Sequence, residues 1–119
     1  MNNVILRGHL SSDPQARELA SGSMLWSLEI TTPTDEGAWS VPVAWFDPAV
    51  APAFVTGDEV VVVGGVRRRF FRTGGGTQSR TEVVATEVVA ASAKRKVQRL
   101  VTRAGERLGA VADGEVRSG

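Results

Sequence analysis

A chain of 119 residues is long enough for one domain with a hydrophobic core and too short for two ordinary ones. It contains no cysteine, which excludes a disulfide framework and a thiolate metal site. Net charge is only +1, yet residues 1–66 carry two arginines against eight carboxylates, and residues 67–119 carry twelve basic residues against five acidic ones. So uneven a field suits a polyanion met by one side of the molecule, or a soluble surface with a basic tail.

The start, Met1 to Val4, lacks the basic-then-apolar order of a signal peptide, and no apolar run approaches membrane-spanning length. A cytoplasmic protein with no membrane partner is expected. Val4–Leu10 is apolar and then alternating, which predicts a first strand with Gly8 as a place to bend. Asp13-Pro14 ends it by turn chemistry, and Gln15–Leu19 returns as an extended segment. After the turn at Ser21-Gly22-Ser23, Met24–Thr32 alternates. Met24, Trp26, Leu28 and Ile30 share one face, the mark of a half-buried strand.

Pro33–Gly37 reads as a short loop. In the next strand, Ala38–Phe46, the residues Trp39, Val41, Val43 and Trp45 have the same parity and share a face unless a bulge intervenes. Pro42 cannot donate a ladder hydrogen bond, which argues for an edge position. Asp47 is placed to cap a short helix with Pro48 at its first position. Pro52 limits that helix to a turn or two before Gly57.

Residues 57–76, GDEVVVVGGVRRRFFRTGGG, form the stretch around which the chain is organised. Val60–Val63 favours a strand buried on at least one face. Gly64-Gly65 marks a bulge or bend. Beyond it Arg67, Arg69 and Phe71 share one face, while Arg68 and Phe70 point the other way. Two guanidiniums and a ring along one strand suit phosphate neutralisation and base stacking. The bland alternative is a solvated strand face with Phe71 filling a core. The triple glycine reads as a mobile connection within a loop from Arg72 to Arg80, and Ser79–Ala91 as a last strand.

Five strands, with one short helix between the third and fourth, match the order of an oligonucleotide/oligosaccharide-binding (OB-fold) barrel, an all-β class. An SH3-like barrel or a small sandwich fits the same count. In the tail, residues 92–119, Val97, Leu100, Val101, Ala104 and Leu108 recur at helical spacing. Arg95, Arg99, Arg103 and Arg107 form a stripe four residues apart. Gly105 and Gly109 weaken such a helix, so the tail is expected to be largely disordered or a short amphipathic helix, with the last ten residues disordered.

No catalytic constellation emerges. His9 is the sole histidine, and no nucleophile elbow, P-loop or carboxylate metal loop is present. A non-enzymatic protein without cofactor or metal is expected.

In order, Asn3-Val4-Ile5-Leu6 with Gly8, Leu10, Asp13-Pro14 and Arg17; Gly22 with Leu25–Thr32; Trp39–Ala49; and Gly57–Phe71 with Thr81-Glu82-Val83-Val84 resemble the bacterial single-stranded DNA-binding protein family. The resemblance covers roughly residues 2–91. It implies an OB-fold DNA-binding domain over 1–91, usually a homotetramer, with a dimer as the alternative. Such a protein coats single strands in replication, recombination or repair and is nucleoid-associated. It also implies base stacking on Trp39, Trp45 and Phe71, and phosphate contacts from Arg67 and Arg69; Arg72 and Arg80 are the further candidates for phosphate contact. The alternative for Trp39 and Trp45 is core packing, and Trp26 reads as core or subunit interface.

The chain departs from the family pattern in its short loop between the second and third strands, in Asn3, and in the interruptions at Pro42 and Pro52. Its end, Gly114–Gly119, has no acidic tip, so recruitment of replication and repair enzymes through such a tip is not expected. The competing function is an oligomerising OB-fold interaction module whose basic tail docks an acidic protein or RNA.

Overall fold

The computed structural model describes residues 3–118, with side chains as far as residue 106. Along the chain run β1 (Val4–Leu10), β2 (Gln15–Glu18), β3 (Met24–Thr34), β4 (Gly37–Phe46), β5 (Glu59–Thr73), β6 (Gly76–Ala90) and α1 (Lys94–Ser118). The strands form one sheet in the order β1-β5-β6-β4-β3-β2, and an added pairing of β1 with β3 closes five of them into a barrel. β2 continues along the free edge of β3, where β1 leaves off. β4 and β6 meet in parallel at Val43/Val83 and Ala44/Val84, and the other pairings are antiparallel.

The four valines of β5 are buried on both faces. Val60 and Val62 face the barrel interior with Leu10, Leu28, Ile30 and Val43. Val61 and Val63 face outward and pack with Val89 against Leu100 and Ala104 of α1. A run of β-branched residues without polar alternation is what a doubly covered strand requires.

The bend expected at Gly64-Gly65 is a bulge. The register passes from Val63/Glu87 to Gly64/Ala85, leaving Thr86 as the extra residue. Its hydroxyl donates to the Val63 carbonyl at 3.1 Å. The added residue also changes parity, which lets Val83, Ala85 and Val88 all face the interior. Gly64 is required here by crowding. A β-carbon on it would run into the Val84 carbonyl oxygen and come within 2.9 Å of the Ala85 Cα.

No helix separates β4 from β5. Asp47, expected to cap one, instead adopts a left-handed conformation (φ 46°). Its carboxylate accepts from the Met24 amide at 2.8 Å, and its own amide donates to the Met24 carbonyl at 2.9 Å. With the capping oxygen engaged by β3, the segment runs on as loop and packs Phe54 against the interior. The helix lies after the last strand instead. It spans Lys94–Ser118, where a largely disordered tail or a short helix is expected from sequence, because Leu100 and Ala104 have an apolar sheet face to bury against. The stripe members Arg107 and Leu108 lie beyond the described side chains. Disorder is expected over the last ten residues, but there the described backbone continues as helix to Ser118.

Pro42 sits inside β4, with Glu29 as its partner on β3, but pairing with β6 begins only at Val43. The proline thus stands just before the pairing with β6 begins.

Gly64→Ala should lower stability by about 1–3 kcal/mol through overpacking. Gly74→Ala, with nothing within 4 Å of the added carbon, should stay within about 0.5 kcal/mol of wild type. Urea unfolding of the two variants checks the contrast; equal midpoints would remove the close approach at Gly64 as a constraint.

Candidate functional site

Beyond Gly65, β5 and β6 leave the barrel as a two-stranded ribbon, and every residue from Val66 to Arg80 is exposed. The stretch expected to be a loose loop is paired almost to its tip. Thr73 and Gly76 face each other across a two-residue turn at Gly74-Gly75. The Thr73 hydroxyl donates to the Gly76 carbonyl at 3.2 Å and accepts from the Gly75 amide at 3.3 Å. The β3–β4 hairpin closes by the same chemistry. Thr34 donates to the Gly37 carbonyl at 2.6 Å and accepts from the Glu36 amide at 3.2 Å. Gly37 and Gly76 follow with φ of 115° and 123°, a region that favours glycine.

Across the ribbon Arg67 faces Glu82, Arg69 faces Arg80 and Phe71 faces Gln78. Arg67, Arg69 and Phe71 therefore share one side, and Arg68, Phe70 and Arg72 the other. The first side is an ion-pair network. Glu82, only 6% exposed, meets Arg67 Nη2 and Arg69 Nε, each at 3.3 Å. Arg80 Nη2 lies 2.7 Å from Glu29 Oε1, and the Ser40 hydroxyl donates to the other Glu29 oxygen at 3.1 Å. The Arg67 guanidinium also sits over the Phe46 ring, 5.6 Å from its centroid. A carboxylate as covered as Glu82 is tolerated because two cations meet it. Three of the expected phosphate-binding arginines are thus already held by carboxylates from β3 and β6. Arg72 is exposed and forms no ion pair among the described residues.

The rings are distributed differently from the cations. Trp39 is 56% exposed near the tip of the β3–β4 hairpin. Trp45 is on the same side of β4, six residues and about 20 Å further along. There it is half-buried, packed against the barrel interior opposite Trp26 of β3. Phe71 is 38% exposed, and its neighbour Phe70 is the most open ring at 65%. Parity alone groups Phe71 with Arg67 and Arg69 and gives Phe70 no role of its own. Residues 66–80 are exposed on both faces of the ribbon, so Phe70 is as available as Phe71, and the signal lies in the arginines and polar residues that flank the two rings in sequence. The site therefore brings Arg67, Arg69, Arg80 and Phe71 together, with Arg72 further along the ribbon. Trp39 and Trp45 are placed elsewhere on β4.

A second polar contact fixes the barrel end. The Asp13 carboxylate accepts from the Thr56 hydroxyl at 2.7 Å and from the Thr56 amide at 2.8 Å. These two donors hold its pKa below the ordinary value of 3.8. Among the described residues no group of three or more His, Asp or Glu side chains is arranged to hold a metal. No protein-family model matches this chain, and no curated protein matches it.

Two measurements test this geometry. Glu82→Gln and Glu29→Gln should each free guanidinium charge, so both variants should elute from immobilised heparin at higher salt than wild type. Unchanged elution would mean that these arginines do not face an incoming polyanion. Because the Asp13 pKa is lowered on folding, its stabilising effect is full above the ordinary carboxylate value and is lost as pH falls through the folded one. Thermal melts from roughly pH 6 down to pH 2 should therefore show an acid-side loss that is smaller in Asp13→Asn.

Proposed function

We propose that the protein binds single-stranded DNA without sequence preference and coats exposed strands during replication, recombination or repair. The observation that carries this reading is the ribbon itself, where Phe70 and Phe71 stand open among Arg67, Arg68, Arg69 and Arg72. Neither ring belongs to the hydrophobic clusters of this chain. Base–aromatic stacking contributes ~1–3 kcal/mol per base and tolerates any sequence. Arginines beside the rings suit the intervening phosphates.

The strand order, with its one parallel closure between β4 and β6, supports an OB-type barrel as the scaffold. Trp39 adds a third open ring at the neighbouring hairpin. Trp45, half-buried against the interior, offers less of its ring to a base than Trp39 does. The resemblance to bacterial single-stranded DNA-binding proteins supports the same reading, and with it self-association as a homotetramer. The mechanism needs no catalytic group and no cofactor.

Titration with oligo-dT at low salt should quench tryptophan emission, and light scattering in parallel should report four copies per particle. Trp39→Ala and Phe71→Ala should each weaken binding by ~1–3 kcal/mol with unchanged melting. Trp45→Ala should instead lower the melting temperature, since it removes packing from the core. A wild-type protein whose emission and mobility ignore dT would end the proposal.

A further inference from the structure

Arg7, Arg67, Arg69 and Arg80 are held by carboxylates; among the described residues, unpaired cations remain at Arg17, Arg68 and Arg72 and, in greater number, on the helix. Between Lys94 and Glu106 the helix carries five basic residues against one acidic residue. Among the described residues, none of these cations is in an ion pair. Arg95, Arg99 and Arg103 are all exposed and recur every four residues, about 6 Å apart along the axis. Leu100 and Ala104 fix which way this stripe faces, because they are buried against Val61, Val63 and Val89.

The stripe borders two hollows. One, of about 740 Å³, is lined among the described residues by Arg95, Gln98, Arg99, Thr102 and Arg103, with no carboxylate among them. The other, of about 490 Å³, runs between the helix and the end of β4. Lys96, Arg99 and Arg103 reach it from the helix, and Trp45 and Phe46 reach it from the strand. Its carboxylates are Asp47, whose Oδ1 accepts from the Met24 amide, and Glu87. Phe46 is also the ring that Arg67 covers, so this groove adjoins the start of the ribbon.

We infer that α1 carries a second phosphate-binding track, along which a single strand leaving the ribbon passes over Trp45 and Phe46 onto Arg95, Arg99 and Arg103. The inference rests on the single-strand reading above and extends it to a longer footprint. Charge complementarity selects the ligand, since regularly spaced guanidiniums match successive phosphates. The rings of Trp45 and Phe46 that line the adjoining groove favour a strand with unpaired bases over a duplex, whose bases are already stacked.

The test compares full-length wild type, Arg95→Ala/Arg99→Ala/Arg103→Ala, and the matching triple arginine-to-lysine variant. Each is titrated with dT oligomers over a range of salt. For single strands the slope of log K against log salt is about −0.7 per phosphate neutralised, so the alanine variant should lose about 2 from its slope. The lysine variant should keep most of it. The loss should appear with long oligomers and fade with short ones that fill the ribbon alone. An alanine variant with the wild-type slope on long dT overturns the inference while leaving single-strand binding by the barrel intact. Wild type that binds no dT overturns both. An unchanged slope on dT with lost binding to polyglutamate makes the helix a dock for an acidic protein, and also overturns the inference.

Discussion

The close approach of Gly64 to the backbone of Val84 and Ala85 is the constraint from which the rest of the molecule follows. One strand has to serve as core for its first half and as an exposed arm for its second. The change is made at the bulge, where β6 carries Thr86 as an additional residue and β5 can come near only because it has no side chain there. On the barrel side, valines alternate between the interior and the helix. On the far side, the same alternation distributes arginines and phenylalanines to two open faces. A bulkier residue at position 64 would disturb the core and the arm together, since both take their register from the same point.

Much of this was legible in the sequence, and the reasons differ by element. The alternation in Met24–Thr32 and Ala38–Phe46 marks strands because one face is buried, and burial leaves a period of two. The valine run and the glycine pair announced a covered strand with a break after it. The facing of Arg67, Arg69 and Phe71 followed from parity. The helix placement did not follow. Asp47 and Pro48 carry the local signature of a helix start, but Met24, distant in sequence, engages the capping carboxylate. The C-terminal helix was discounted because its glycines weaken it in isolation, whereas its stability comes from a sheet face that sequence does not display. Glu29 and Glu82 were likewise invisible as partners, lying 51 residues from Arg80 and 15 from Arg67. Long-range pairing of charges leaves no local pattern.

Those two carboxylates change how the arginine-rich ribbon should be understood. A guanidinium held by a carboxylate is pre-positioned, and a phosphate must compete for it. Glu82 is well covered, so its pairs with Arg67 and Arg69 are screened less by salt than the exposed pair of Arg7 with Glu59. The ribbon thus offers rings with restrained cations at Arg67, Arg69 and Arg80 and unpaired ones at Arg68 and Arg72, while among the described residues the helix cations are all unpaired.

The parallel contact of β4 with β6 covers two residue pairs, far fewer than any long antiparallel ladder in the barrel. It and the β1–β3 joint, also of two pairs, are the thinnest in the cylinder. The β4–β6 joint lies between the hairpin that carries Trp39 and the arm that carries Phe70 and Phe71. On this side of the barrel the spacing of the two arms, and of the rings they carry, is therefore set across only two residue pairs.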